Sequence, residues 1–227
     1  MKKKKENKIA LGTAQFSNKY GITNKEYLSV NKIRHILSDS LEFGINTIDT
    51  APNYEGVEKK LGNFSLKSFN LITKMSLTEG EKVLNSNDLN ENIQNSLSAL
   101  NLKKIYAILI RNPKNLIKNK KLLDVLLEYK RENKISKIGY TLYNIKELSK
   151  MYNYFKPDIV QIPYSIVDQS FEKKNWLSKM HNDGVEIHAR SVFLQGLLLT
   201  NVESLPRKFL KFKEFFKRFD IWSKKNK

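Results

Sequence analysis

The 227-residue chain contains no cysteine. A disulfide and a thiolate-bound metal are therefore excluded, and the composition suits a reducing compartment. No apolar run approaches the roughly 18 residues that a membrane-spanning helix requires. The basic start Met1–Lys5 leads into Glu6-Asn7 and a short strand, not into the apolar core of a secretory signal. A cytoplasmic protein with no membrane partner is the expectation. No G-x-G-x-x-G follows any predicted strand, which disfavours a Rossmann-type nucleotide site. Histidine is scarce: His35, His181 and His188 lie far apart without ligand spacing, so no metal site is expected, and His188 is the one placed to face the interior of a sheet. No Gly/Ser linker or compositional break divides the chain. One domain over residues 1–227 is expected, with 205–227 as a basic helical tail.

Acidic residues are also in short supply, 23 Asp and Glu against 41 Lys and Arg, for a net charge of +18. Such an excess invites a nucleic-acid or anionic-membrane reading. Yet the lysines are spread along every predicted helix among many Asn and Ile, as a biased genome composition produces. Only Lys2–Lys5 and Arg207–Lys227 are locally dense. No specific nucleic-acid partner is expected, because a charge-driven interface needs its lysines gathered on one face.

What is present is alternation. Short apolar runs at Lys8–Leu11, Ile45–Ile48, Phe69–Ile72, Ile105–Ile110, Ile135–Gly139, Ile159–Ile162 and Val185–Ala189 read as strands. Between them, helical spacing recurs from Val30 to Phe43, over Val57–Leu61, over Asn87–Leu100 with Asp88 in its first turn, around Leu122–Tyr129, over Ile145–Phe155, and around Trp176, Leu177 and Met180. Leu205–Trp222 reads as a basic amphipathic helix or helix pair. Repeated strand–helix units make one winding α/β domain. A barrel is favoured over an open sheet because functional-looking residues leave many strand ends instead of one switch point.

The richest stretch is Gly44–Gly62, GINTIDTAPNYEGVEKKLG, followed by Leu71-Ile72-Thr73-Lys74. Asp49 ends one strand, Pro52 and Asn53 turn the chain to present Tyr54, and Lys74 closes the next apolar run. An acid, a phenol and an ammonium leaving two neighbouring elements read as acid–base chemistry, with Asp49 holding Lys74 and the ammonium lowering the phenol's pKa of about 10. Tyr54 is then a general acid for a carbonyl oxygen. Taken singly, Asp49 reads equally as a helix cap, Tyr54 as a rim residue and Lys74 as one more surface lysine.

The GINTIDTAPNY…E…LG segment, the LITK after it and LGTAQF near the start resemble the aldo-keto reductases. That resemblance implies a TIM-type (β/α)8 barrel reducing a small aldehyde or ketone with NADPH or NADH. It makes Asp49, Tyr54 and Lys74 three of four catalytic residues. At the fourth position, where the family usually carries histidine, AILIRNP places Arg111: still a hydrogen-bond donor, but always charged and longer, so that it would depress the Tyr54 pKa and crowd the substrate. The plainer role for Arg111 is an ion pair at the rim. For the cofactor, the resemblance implies Gly12, Thr13 and Asp49, with Thr141 and Gln161 at the carboxamide. It adds Phe193 stacking on the ring, and Leu194, Gln195, Gly196 and Leu197 in the phosphate-side loop. Similar reductases occur beside surface-polysaccharide genes, which makes a sugar a candidate substrate.

Seven strands are found where the family has eight, and the chain ends five residues after Trp222. The expectation is an incomplete barrel lacking the eighth strand and last helix, its open edges covered by the tail, a partner or a second copy. Two other readings stay open: a catalytically weak or inactive relative that binds a partner or ligand through the same mouth, and a surface binder acting through its charge.

Overall fold

The computed structural model describes residues 7–17, 20, 28–172 and 175–226, so the basic start at Lys2–Lys5 lies outside the described residues. In chain order the elements are β1 (Leu11–Gly12), α1 (Val30–Glu42), β2 (Thr47–Asp49), α2 (Val57–Leu61) and β3 (Asn70–Ser76). There follow a hairpin of β4 (Thr78–Glu79) and β5 (Lys82–Val83), α3 (Ser86–Ala99), β6 (Ile105–Arg111), α4 (Lys114–Lys118), α5 (Lys120–Arg131) and β7 (Ile135–Thr141). The last are α6 (Ile145–Tyr154), β8 (Ile159–Pro163), α7 (Trp176–Asn182), β9 (Glu186–Arg190) and α8 (Lys213–Lys225).

Local chemistry explains the helices. Ser29 caps α1 by accepting from the Lys32 N–H, and Ile33 and Leu37 turn to the core. Asn85 and Asp88 form a reciprocal capping box at the start of α3. Seven strands pair in the order β1-β2-β3-β6-β7-β8-β9, each parallel to its neighbour. Side chains alternate along each strand. Ile48, Leu71, Ile108, Ile110, Ile138 and Val160 point outward and meet the helices in the main core. Ile72, Ala107, Leu109 and Ile159 point inward and form a separate cluster on the concave face. The sheet is a curled half-barrel, and one contact shows how far it curls. Asp49 on β2 and Gln161 on β8 are separated by three intervening strands, yet their side chains hydrogen-bond at 2.8 Å.

Several boundaries differ from the sequence reading. The first strand is confined to Leu11–Gly12, and the second begins at Thr47, not Ile45. The β4–β5 hairpin and α4 were not anticipated, because elements of two and five residues are too short to carry a period. Of the helix or helix pair expected over Leu205–Trp222, the pair is found, a 3-10 segment at Arg207–Phe212 followed by α8. Among the described residues, no helix is long and apolar enough to cross a membrane.

Toward the N-terminal ends of the strands, His188 does face the interior. There Glu186 accepts hydrogen bonds from Tyr106 at 2.6 Å, from His188 at 2.6 Å, and from Lys137. Burial alone would raise the Glu186 carboxyl, but these donors outweigh it and hold it at about 2. Next to this cluster the sheet tolerates no side chain at Gly139, where a Cβ would lie 1.7 Å from the Ile159 carbonyl oxygen of β8. Gly139→Ala is expected to destabilise the fold by about 3 kcal/mol or more, because backbone must move to admit one methyl group. A thermal melt followed by circular dichroism checks it; an unchanged midpoint would contradict the close strand approach.

Candidate active site

The C-terminal ends of the strands open on one mouth of about 890 Å³. Parallel register builds its floor. Asp49 pairs with Ile72 across β2 and β3, so Lys74, two residues on and on the same face, reaches over to the carboxylate. Lys74 Nζ donates to Asp49 Oδ1 at 2.5 Å and to the Thr50 carbonyl at 3.1 Å. The second Asp49 oxygen accepts from Gln161 Nε2. Thr13 fixes the strand end from behind, its N–H and hydroxyl both donating to the Asp49 carbonyl at 2.9 Å. The turn through Ala51 then brings Tyr54 over this pair, with Lys74 Nζ 5.5 Å from the ring centroid.

The electrostatics depart from the sequence reading in one respect. Burial raises the Tyr54 phenol to about 12 and the nearby Asp49 charge adds to the rise, while Arg111 and Arg190 pull it part of the way back. The expected lowering by Lys74 is not what governs it. Burial also lowers the Lys74 ammonium from its ordinary value, although Asp49 works to hold it charged. Tyr54 Oη has no hydrogen-bond partner among the described residues.

Of the residues singled out from sequence, Gly12, Asp49, Tyr54, Lys74, Arg111, Thr141, Gln161, Phe193, Gln195 and Gly196 line the mouth. Thr13 is buried behind it. Leu197 turns away into a satellite cluster with Leu198, Leu205 and Phe216, and Leu194 packs against that cluster. Apolar side chains with a dry neighbour to join do not stay at a wet rim. Phe193 is 56% exposed, so it is not core. The loop bearing it is conformationally strained: Ser191, Leu194 and Gln195 have φ of 60°, 50° and 57°, and Gly196 has 90°. Only glycine adopts that region freely. Arg111 forms no ion pair among the described residues, so the rim salt bridge considered for it is not there.

Three contributors went unnoticed in the sequence. Arg190 ends β9 at the mouth, where it donates to the Leu142 carbonyl at 3.2 Å and stacks 4.4 Å from the Tyr143 ring centroid. Tyr143 shares the rim. Glu58 lies buried behind Lys74, accepting from Thr73 Oγ1 at 2.6 Å and Ser96 Oγ at 2.8 Å, and burial raises its carboxyl. The acid in the …E…LG segment was its only signal. Gln161 Oε1 and Thr50 Oγ1 are buried without partners among the described residues.

The family model described as "Aldo/keto reductase family" matches residues 8–225. An oxidoreductase of Schizosaccharomyces pombe is 26% identical over 181 residues, covering 74% of this chain and 62% of its own length. The chain thus spans less than two thirds of that curated relative. Among solved structures, the holo form of an aldo-keto reductase from Bacillus halodurans has a TM-score of 0.70 at 22% identity, over 88% of this chain and 66% of that one. A Bombyx mori aldo-keto reductase in complex with NADP has a TM-score of 0.60 at 20% identity, over 81% and 62%. At such identities the likeness to the structures is one of fold.

Proposed function

The chain belongs to the aldo/keto reductase family, and we propose that it reduces a small aldehyde or ketone to an alcohol at this mouth, using NADPH or NADH. The observation that carries the reading is the convergence of Tyr54 on the Asp49–Lys74 pair. The fit of a nicotinamide rests on Gln161, whose buried Oε1 has no donor among the described residues while its Nε2 is spent on Asp49. A carboxamide N–H₂ is such a donor, and burying an acceptor without one is costly. Thr141 stands beside it on β7, paired in register with Gln161. Phe193, Gln195 and Gly196 offer an exposed ring and a loop with little side-chain bulk at the glycine. The cofactor, when bound, supplies the hydride to the carbonyl carbon.

The protein supplies the proton. Tyr54 donates its phenolic hydrogen to the carbonyl oxygen as that oxygen becomes an alcohol, and the phenolate left behind regains a proton from water through the open mouth. A donor raised to about 12 stays protonated at neutral pH. It remains a stronger acid than the alcohol being formed, so the transfer runs downhill. Lys74, fixed by Asp49, sets positive charge against the ring at the moment the phenolate forms. A second reading, a ligand-binding relative with little turnover, is favoured by the lack of a hydrogen-bond partner for Tyr54 Oη among the described residues and by Arg111 in place of histidine.

Titrating NADPH fluorescence, then following NADPH oxidation with small aldehydes, separates the two: saturable binding with turnover supports the reductase, and binding without turnover the alternative. Gln161→Ala is expected to weaken NADPH binding by about tenfold or more, from the loss of one satisfied buried acceptor and of the bond that steadies Asp49. An unchanged affinity would remove Gln161 from the cofactor site.

A further inference from the structure

Three cations and one acid line the mouth: Lys74, Arg111 and Arg190 against Asp49. Asp49 is already committed to Lys74, and among the described residues neither guanidinium forms an ion pair. They are not equivalent. Arg190 is anchored to a carbonyl and a ring and pairs in register with Pro163 of β8, beside Gln161 and the 191–196 loop, on the side read above as the cofactor's. Arg111 pairs in register with Ser76 at the end of β3, on the Lys74 and Tyr54 side. It is half-buried and makes no hydrogen bond or ion pair among the described residues. Arg111 also borders a second cavity of about 390 Å³ that lies toward α2 and α3. Asn53, Lys74 and Arg111 form the wall common to both cavities. Glu58, Lys59, Ser76, Asn92 and Asn95 line this side cavity; the two Glu58 oxygens are taken by Thr73 and Ser96 and burial raises its carboxyl, and the others offer hydrogen-bonding groups.

An unpaired, half-desolvated guanidinium beside a buried ammonium is an unfavourable arrangement unless an anion joins it. The planar fork of arginine matches two oxygens of a carboxylate or phosphate. We propose that the substrate is a carbonyl compound carrying an oxyanion group, which Arg111 grips at the side cavity while Tyr54 faces the carbonyl. The proposal rests on the reductase reading. It turns the replacement of histidine by arginine from a defect into a selector: the charge that crowds a neutral substrate binds an anionic one.

The test compares kcat/KM for glyceraldehyde 3-phosphate against glyceraldehyde, and for 4-oxobutanoate against butanal, with the full chain and NADPH in phosphate-free buffer at fixed ionic strength. The anionic member of at least one pair is expected to be favoured by about tenfold or more, and the pair that shows it identifies phosphate or carboxylate. Arg111→Gln is expected to bring the ratio close to one, and Arg111→Lys to restore part of it. Lys103→Gln, which removes the same unit of charge just ahead of the opposite end of β6, leaves the ratio in place. A ratio near one in the unmodified chain, or one that survives Arg111→Gln, overturns the proposal. Should no aldehyde be reduced, the reductase reading fails, and calorimetry with glycerol 3-phosphate against glycerol decides the anion site alone. Phosphate-dependent binding that Arg111→Gln abolishes upholds it, and equal or absent binding overturns it.

Discussion

On the proposed reductase reading, Tyr54→Phe is expected to lower kcat for carbonyl reduction by about 10²- to 10⁴-fold, with NADPH affinity and the melting temperature little changed. The size follows from the loss of a positioned general acid. The selectivity follows from the site, because Tyr54 Oη has no hydrogen-bond partner among the described residues, and the ring that packs beside Lys74 is retained. A pH measurement accompanies it. Burial raises this phenol to about 12, so the difference in phenolate absorbance between the chain and Tyr54→Phe develops only above the ordinary tyrosine value of about 10. Ionisation near neutral pH would mean that the lysine, not burial, governs the group. Carbonyl reduction undiminished by Tyr54→Phe would mean that another group gives the proton.

Asp49, Tyr54 and Lys74 were legible from sequence because each follows a feature that reports its own place. Asp49 and Lys74 are charges that interrupt apolar runs, which puts them at strand ends, and Pro52-Asn53 is a turn. Gln161 stood out for the same reason, a polar residue in an apolar strand. Charge, polarity and breakers are local, and so is their reading. The Asp49–Gln161 bond was not legible, since it depends on the curl accumulated over the three strands between them. Arg190 was missed because an arginine after an alternating run is indistinguishable from the chain's many exposed cations until the mouth is drawn. The direction of the Tyr54 shift was missed for a related reason. Proximity to Lys74 is written in the sequence, but the burial that raises the phenol appears only once the chain is folded, with the Tyr20 ring 6.0 Å from that of Tyr54.

Asp49→Ala is expected to cost about 3–5 kcal/mol of stability at neutral pH and to abolish turnover, because it strands an ammonium whose side chain is 4% exposed. The sign of its pH dependence follows from Lys74. That group's folded pKa already lies below its ordinary 10.5, from burial, and Asp49 is what resists the fall. Between the folded and unfolded values the unfolded chain holds the proton more readily, so stability rises with pH. Without Asp49 the folded value drops further. The deficit of the variant is thus greatest where Lys74 is charged in both folded chains, and it shrinks as pH climbs through their folded values, both below 10.5. Lys74→Met in the Asp49→Ala background removes the stranded charge and is expected to recover much of the lost stability without recovering activity, a coupling that denaturant melts of the two single variants and the double variant measure. Additive losses would show that Asp49 acts through Gln161 and the backbone at Thr13 instead of through the ammonium.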